Sequence, residues 1–204
     1  MNRIIELESV VQDNRHAGRN NGGILMSIND QSRVLVSAPH SILTYRYGDP
    51  KLGEVNTYGI ARYLNEETGC SIITLDGGHQ LDPNSHAHSL YRSLLFDVCK
   101  LCNIRYFIDL HGCLNRDPYF DILVANNYGE TDNNLDYQKF LEDRGLILEY
   151  NTHFHACSRT LVRYVHDKLK IPSVELELSA AFRYSDKIPI LVDYIKYIEG
   201  RVKL

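Results

Sequence analysis

The spacing of apolar residues changes character near residue 33. Before it, Ile4, Ile5, Leu7, Val10 and Val11, and later Ile24, Leu25 and Met26, alternate weakly around the turn-rich stretch DNRHAGRNNGG. That pattern predicts a hairpin or edge strands over residues 1–30. From Arg33, RVLVSA is a short continuous apolar run, the signature of a strand covered on both faces. CSIITL, NIRYFIDL, YFDILVA and SVELEL read as further strands. Helical periodicity fills the intervals. Residues 54–68 form one helix ended by Gly69, and Ala87, Leu90, Tyr91, Leu94, Leu95, Val98 and Cys102 recur at spacings of three and four after the turn DPNS. Residues 135–149, 159–169 and 189–199 are predicted as helices, the last with Pro189 in its first turn.

Strands alternating with helices predict a three-layer α/β fold, a mixed but largely parallel sheet with helices on both faces. In such sheets ligands gather beyond the carboxyl ends of the strands. The predicted strands carry chemistry there. VLVSAPHS ends at His40, NIRYFIDL runs on to His111, and VELEL contains Glu175 and Glu177. Pro39 cannot continue a ladder, so His40 is expected to project from the strand mouth, and Gly112 lets the backbone turn directly after His111.

Two histidines from separate strand ends and one carboxylate are the donors a catalytic zinc requires, with a fourth position left for water. Glu54, at the start of the helix after His40, is one choice for the carboxylate; Asp49 is the other. Glu175 and Glu177 point to one face of their strand. A solvated face would explain that alternation, but burial in a covered sheet would be costly for two carboxylates without compensation. One of them is therefore expected to be the general base that deprotonates the metal-bound water. Asp109 shares a face with His111 and could hold an imidazole from behind.

Composition narrows the alternatives. The 204 residues are expected to form one domain spanning 1–204; 44% are hydrophobic and 24% charged, as in ordinary globular chains. A formal charge of -4 gives no basic field for phosphates, so nucleic acid is not expected as a partner. No stretch reaches the roughly 20 apolar residues of a membrane span, and Glu6, Glu8 and Asp13 interrupt the N-terminus where a signal peptide would be apolar. A cytoplasmic location without membrane contact is expected. Five scattered cysteines suit a reducing compartment, and CKLC at 99–102 reads as two core thiols on a helix.

With these residues in place the chain resembles the N-formylglutamate amidohydrolase family, whose fold is related to the zinc carboxypeptidases and aspartoacylases. The resemblance rests on APHS at 38–41, GEVNTYG at 53–59, LDPN at 81–84, FIDLHG at 107–112 and VELELS at 174–179, and spans roughly residues 33–184. It implies a carboxypeptidase-like fold and one zinc ion held by His40, Glu54 and His111. It also implies a catalytic glutamate in the last strand, where Glu177 fits the motif better than Glu175, and a small amide substrate bearing a carboxylate. In the family, arginines usually follow the segments matching LDPN and Glu177. Here Ser85, His86 and Ala87 follow the first, and Ala180 and Ala181 stand after the second. Arg159 is expected to supply the missing guanidinium, with Arg92 or Arg183 as alternatives and His155 bordering the substrate. His86 and His88 read as polar loop residues; Tyr45 and Tyr47 could form a pocket wall or lid.

Overall fold

A computed structural model describes residues 1–19, 21–78, 80–115, 119–125, 132–152 and 157–202. In chain order the elements are α1 (Asn2–His16), β1 (Ile24–Ser27), β2 (Val34–Ala38), β3 (Thr44–Arg46), β4 (Asp49–Lys51), α2 (Thr57–Thr68), β5 (Ser71–Leu75), β6 (Gln80–Leu81), α3 (Leu90–Leu101), β7 (Tyr106–Gly112), β8 (Ile122–Ala125), α4 (Asp132–Glu142), β9 (Leu148–Tyr150), α5 (Leu161–Leu169), β10 (Ser173–Leu178), α6 (Ala180–Arg183) and α7 (Pro189–Val202).

Seven strands form the main sheet in the order β1-β5-β2-β7-β10-β8-β9. Its centre, β5, β2, β7 and β10, is parallel, while β1 and β8 run antiparallel to their inner neighbours. The apolar runs are central strands because every residue of β2, β5, β8 and β10 is buried. Both faces are covered. On one, Val34, Val36, Ile72, Ile108 and Val174 pack with Ile60 and Leu64 of α2 and Leu191 and Ile195 of α7. On the other, Leu35, Ile73 and Phe107 pack with Leu95 of α3 and Leu161 and Val165 of α5. Each fully buried aliphatic side chain stabilises the fold by about 1.5–3 kcal/mol, so these layers hold the strand ends in place.

Strand parity now places the polar residues. Phe107, Asp109 and His111 alternate onto the α3/α5 face, apolar at its start and polar at its end. Glu175 lies opposite Asp109, and Glu177 opposite His111. The two glutamates are 5% and 6% exposed, so their alternation does not mark a solvated face.

The N-terminus departs from expectation. Residues 2–16 are helical, and only Ile24–Ser27 forms an edge strand. Buried Ile4, Leu7 and Val11 follow helical spacing, but the pattern is interrupted by Glu8, itself only 1% exposed. Glu8 is buried because its carboxylate accepts the backbone N–H groups of Asn56 (2.7 Å) and Gly59 (2.6 Å) at the start of α2. Residues 135–149 also divide into two elements. α4 stops at Glu142, and Gly145, at φ 78°, supplies a left-handed turn before β9. α3 begins at Leu90 because Ser89 caps it, accepting from Arg92 N. Cys99 and Cys102 of CKLC pack into the α3/α5 core, where burial pushes the Cys99 thiol up to about 12. None of the five cysteines forms a disulfide among the described residues. Among the described residues no helix is long and apolar enough to cross a membrane.

Candidate metal centre

The loop after β2 folds back on itself, with Glu54 N donating to His40 O at 2.7 Å. That return brings Glu54 onto the strand ends. Its Oε1 lies 3.1 Å from His40 Nδ1, its Oε2 lies 3.2 Å from His111 Nδ1, and the two Nδ1 atoms are 3.0 Å apart. The alternative ligand, Asp49, is exposed on β4 and stays outside the cluster.

These separations test the fit to zinc. Donors about 2.0–2.1 Å from a tetrahedral ion stand roughly 3.3 Å from one another, close to the spacing found here. The remaining ring nitrogens are also committed: His40 Nε2 lies 2.9 Å from Asp82 Oδ1, and His111 Nε2 lies 3.2 Å from Asp109 Oδ2. A carboxylate that accepts Nε2–H leaves the Nδ1 lone pair aimed at the centre, the arrangement found behind metal-bound histidines. Asp109 thus lies behind His111. Asp82 performs the same task for His40 and was missed; LDPN was read as a turn and a motif segment, and its carboxylate received no role. The signal was its place beside a proline at the end of a short strand, as with His40. Arg46 Nε, from β3, donates to Asp82 Oδ2 at 2.7 Å, and Lys51 Nζ, from β4, donates to Glu54 Oε1 at 2.6 Å. Both belong to a three-stranded sheet, β4-β3-β6, in a stretch that reads from sequence as a loop.

The site is rich in buried negative charge. Asp82, Asp109, Glu175 and Glu177 are all buried. Burial alone would raise the Glu54 carboxyl, but the imidazoles of His40 and His111 hold it well below the usual range. Burial likewise opposes ionisation of Asp82, and His40 and Arg46 together hold it low. His111 is disfavoured as a cation by burial, yet Asp109 and Glu54 raise its pKa well above that of a free imidazole. Glu175 and Glu177 are pushed up to about 7, chiefly by burial and against the pull of His111. Among the described residues, Asp109 Oδ1 and Glu175 Oε2 have no hydrogen-bond partner. Such a donor set favours a bound cation.

The cluster floors a cleft of about 670 Å³. Glu175 and Glu177 line it together, Arg159 and Tyr47 stand in its wall, and Arg159 donates to the Tyr47 hydroxyl at 3.2 Å. Neither alternative arginine faces the cleft. Arg92 is buried and donates to the Pro83 and Arg159 carbonyls, while Arg183 is buried and donates to those of Val55 and Cys113. Both expectations of substrate contact are therefore replaced by backbone anchoring. His155 lies outside the described residues.

No family model matches the chain, and no curated protein matches it. Solved structures do. A zinc-free YndL superposes with a TM-score of 0.61 at 18% identity, covering 90% of this chain and 92% of that one. N-formylglutamate amidohydrolase from Ralstonia eutropha gives 0.63 at 10% identity, covering 89% and 98%. Succinylglutamate desuccinylase from Chromobacterium violaceum gives 0.56 at 11% identity, covering 100% and 78%. The chain shares their fold. That likeness agrees with the architecture read from its strand and helix pattern.

Proposed function

We propose that the protein is a zinc-dependent amidohydrolase acting on the C–N amide of a small N-acyl amino acid of the N-formylglutamate type. The observation that carries this reading is the convergence of the Nδ1 atoms of His40 and His111 on the Glu54 carboxylate, each imidazole being held from behind by a buried aspartate. A zinc ion bound by these three residues would supply Lewis acidity, lowering the pKa of water and polarising the amide carbonyl.

The protein's own groups supply the rest. Glu177, with its carboxyl raised to about 7, is suited to accept a proton from water and return it to the departing nitrogen near neutral pH. Glu175 sits two residues deeper on the same face, opposite Asp109, and supports the buried floor. Arg159 at the cleft wall offers a planar guanidinium to the substrate carboxylate, and the Tyr47 hydroxyl steadies it. Cysteines outside any disulfide accord with a reducing, cytoplasmic compartment.

The test combines zinc titration of the purified chain with hydrolysis assays on N-formyl and other N-acyl amino acids beside short peptides. One zinc per chain and turnover of the N-acyl amino acids are expected. Turnover of peptides alone would move the assignment to a carboxypeptidase or cell-wall amidase. A zinc-loaded protein without hydrolysis would leave a binding protein for small anions.

A further inference from the structure

Arg183 stands at the end of the short α6, just beyond the strand that carries Glu177, and is only 5% exposed. Its guanidinium spans two chain segments that are distant in sequence. One terminal nitrogen donates to Val55 O, the carbonyl next to Glu54 in the chain; the other donates to Cys113 O at 2.9 Å, two residues beyond His111. The connection is returned through Asn56, whose side-chain amide donates to Arg183 O at 3.3 Å. Asn56 holds a left-handed φ of 69°, a conformation asparagine adopts more readily than most residues, at the turn between Glu54 and α2.

Gly112 fits the same arrangement. A Cβ at that position would lie 2.7 Å from a terminal nitrogen of Arg183 and 2.8 Å from its central carbon. The guanidinium thus occupies the space beside the glycine, and Gly112 N is free to donate to Glu54 Oε2 at 2.9 Å. Resting on the metal site proposed above, we propose that Arg183 is a positioning residue that fixes Glu54 relative to His111 by clamping the backbone beside each of them. A fork with two donors can bridge two carbonyls in a set geometry. A lysine ammonium has no such planar fork and could not reproduce it.

The test uses the full chain as wild type, Arg183→Lys, Arg183→Met and Gly112→Ala. Zinc affinity is measured by competition with a chromophoric chelator, and the visible d–d spectrum of the cobalt(II)-loaded protein reports ligand geometry. Arg183→Lys is expected to fold and to bind zinc about 10- to 100-fold more weakly, the range seen when groups that orient metal ligands are removed. Its cobalt spectrum should be altered, and Gly112→Ala should show the same loss because the added methyl displaces the guanidinium. Should Arg183→Met fail to fold, Arg183→Lys decides the matter. Wild-type zinc affinity and an unchanged cobalt spectrum in folded Arg183→Lys would overturn the clamp while leaving the metal site standing. A wild-type chain that binds no divalent metal would instead overturn the metal site, and the clamp with it.

Discussion

The imidazole pair and the glutamate pair sit beside each other at the carboxyl ends of adjacent strands, yet they are surrounded differently. His40 and His111 are each held at Nε2 by an aspartate, Asp82 or Asp109, and turn Nδ1 towards the Glu54 carboxylate. Glu175 and Glu177 are equally buried, but Glu175 Oε2 has no partner and both carboxyls are raised to about 7. An imidazole held from behind at Nε2 keeps its orientation, whereas a buried acid with few partners can gain or lose a proton near neutrality. The first suits a group that must hold an ion; the second suits one that must change its charge.

Replacing Glu177 with Gln should break this division most sharply. It keeps the size of the side chain but removes its basicity, so hydrolysis should fall by about 10²- to 10⁴-fold in steady-state assays while zinc stoichiometry stays at one. If Glu175→Gln produced that loss instead, the two glutamates would exchange roles. A smaller effect is expected on the imidazole side. Asp82→Ala should weaken zinc binding by about 10- to 100-fold in chelator competition, because His40 loses the group that fixes its orientation.

Stability against pH sharpens the comparison further. For a carboxyl raised from 4.5 to about 7 on folding, the native chain binds more protons than the unfolded chain within that window. The stabilisation from Glu175 and Glu177 is therefore fully present below pH 4.5 and is lost as pH rises towards 7, after which their contribution is flat. In the metal-free protein the loss should be on the order of 3 kcal/mol for each carboxyl, seen as a falling melting temperature by circular dichroism. Glu175→Gln should flatten part of that slope. The smallest change is expected away from both pairs: Ser89→Ala removes the cap of α3 and should cost about 1 kcal/mol of stability without altering zinc affinity.

Much of the central architecture was legible because buried parallel strands leave short unbroken apolar runs, and the polar residues ending those runs stand out. His40, His111 and Asp109 stand out in this way, and Glu54 by its place near a helix start; the fold brings the four together. Asp82, Arg46 and Lys51 were less accessible, since their roles depend on a small sheet folded from a loop without a clear periodic signal. Arg92 and Arg183 show another limit. Sequence marks a guanidinium as available, but only the fold reveals that backbone carbonyls have taken it. Residues 2–16 read as a hairpin because their apolar positions are few and lie next to a turn-rich stretch, while the helix is tied down by the buried Glu8 carboxylate at the start of α2, a contact that leaves no mark in the sequence.

The in-register pairing of β10 with β7 acts as a ruler for the chemistry. Alternate residues on one face of a strand are about 6.6 Å apart, so the ladder sets which glutamate stands level with His111 and which with the aspartate behind it. A slip of one residue would turn both carboxyls through the sheet to the α2/α7 side, away from the cleft. Backbone hydrogen bonds therefore fix the depth at which each acid stands in the cleft before any side chain chooses a rotamer.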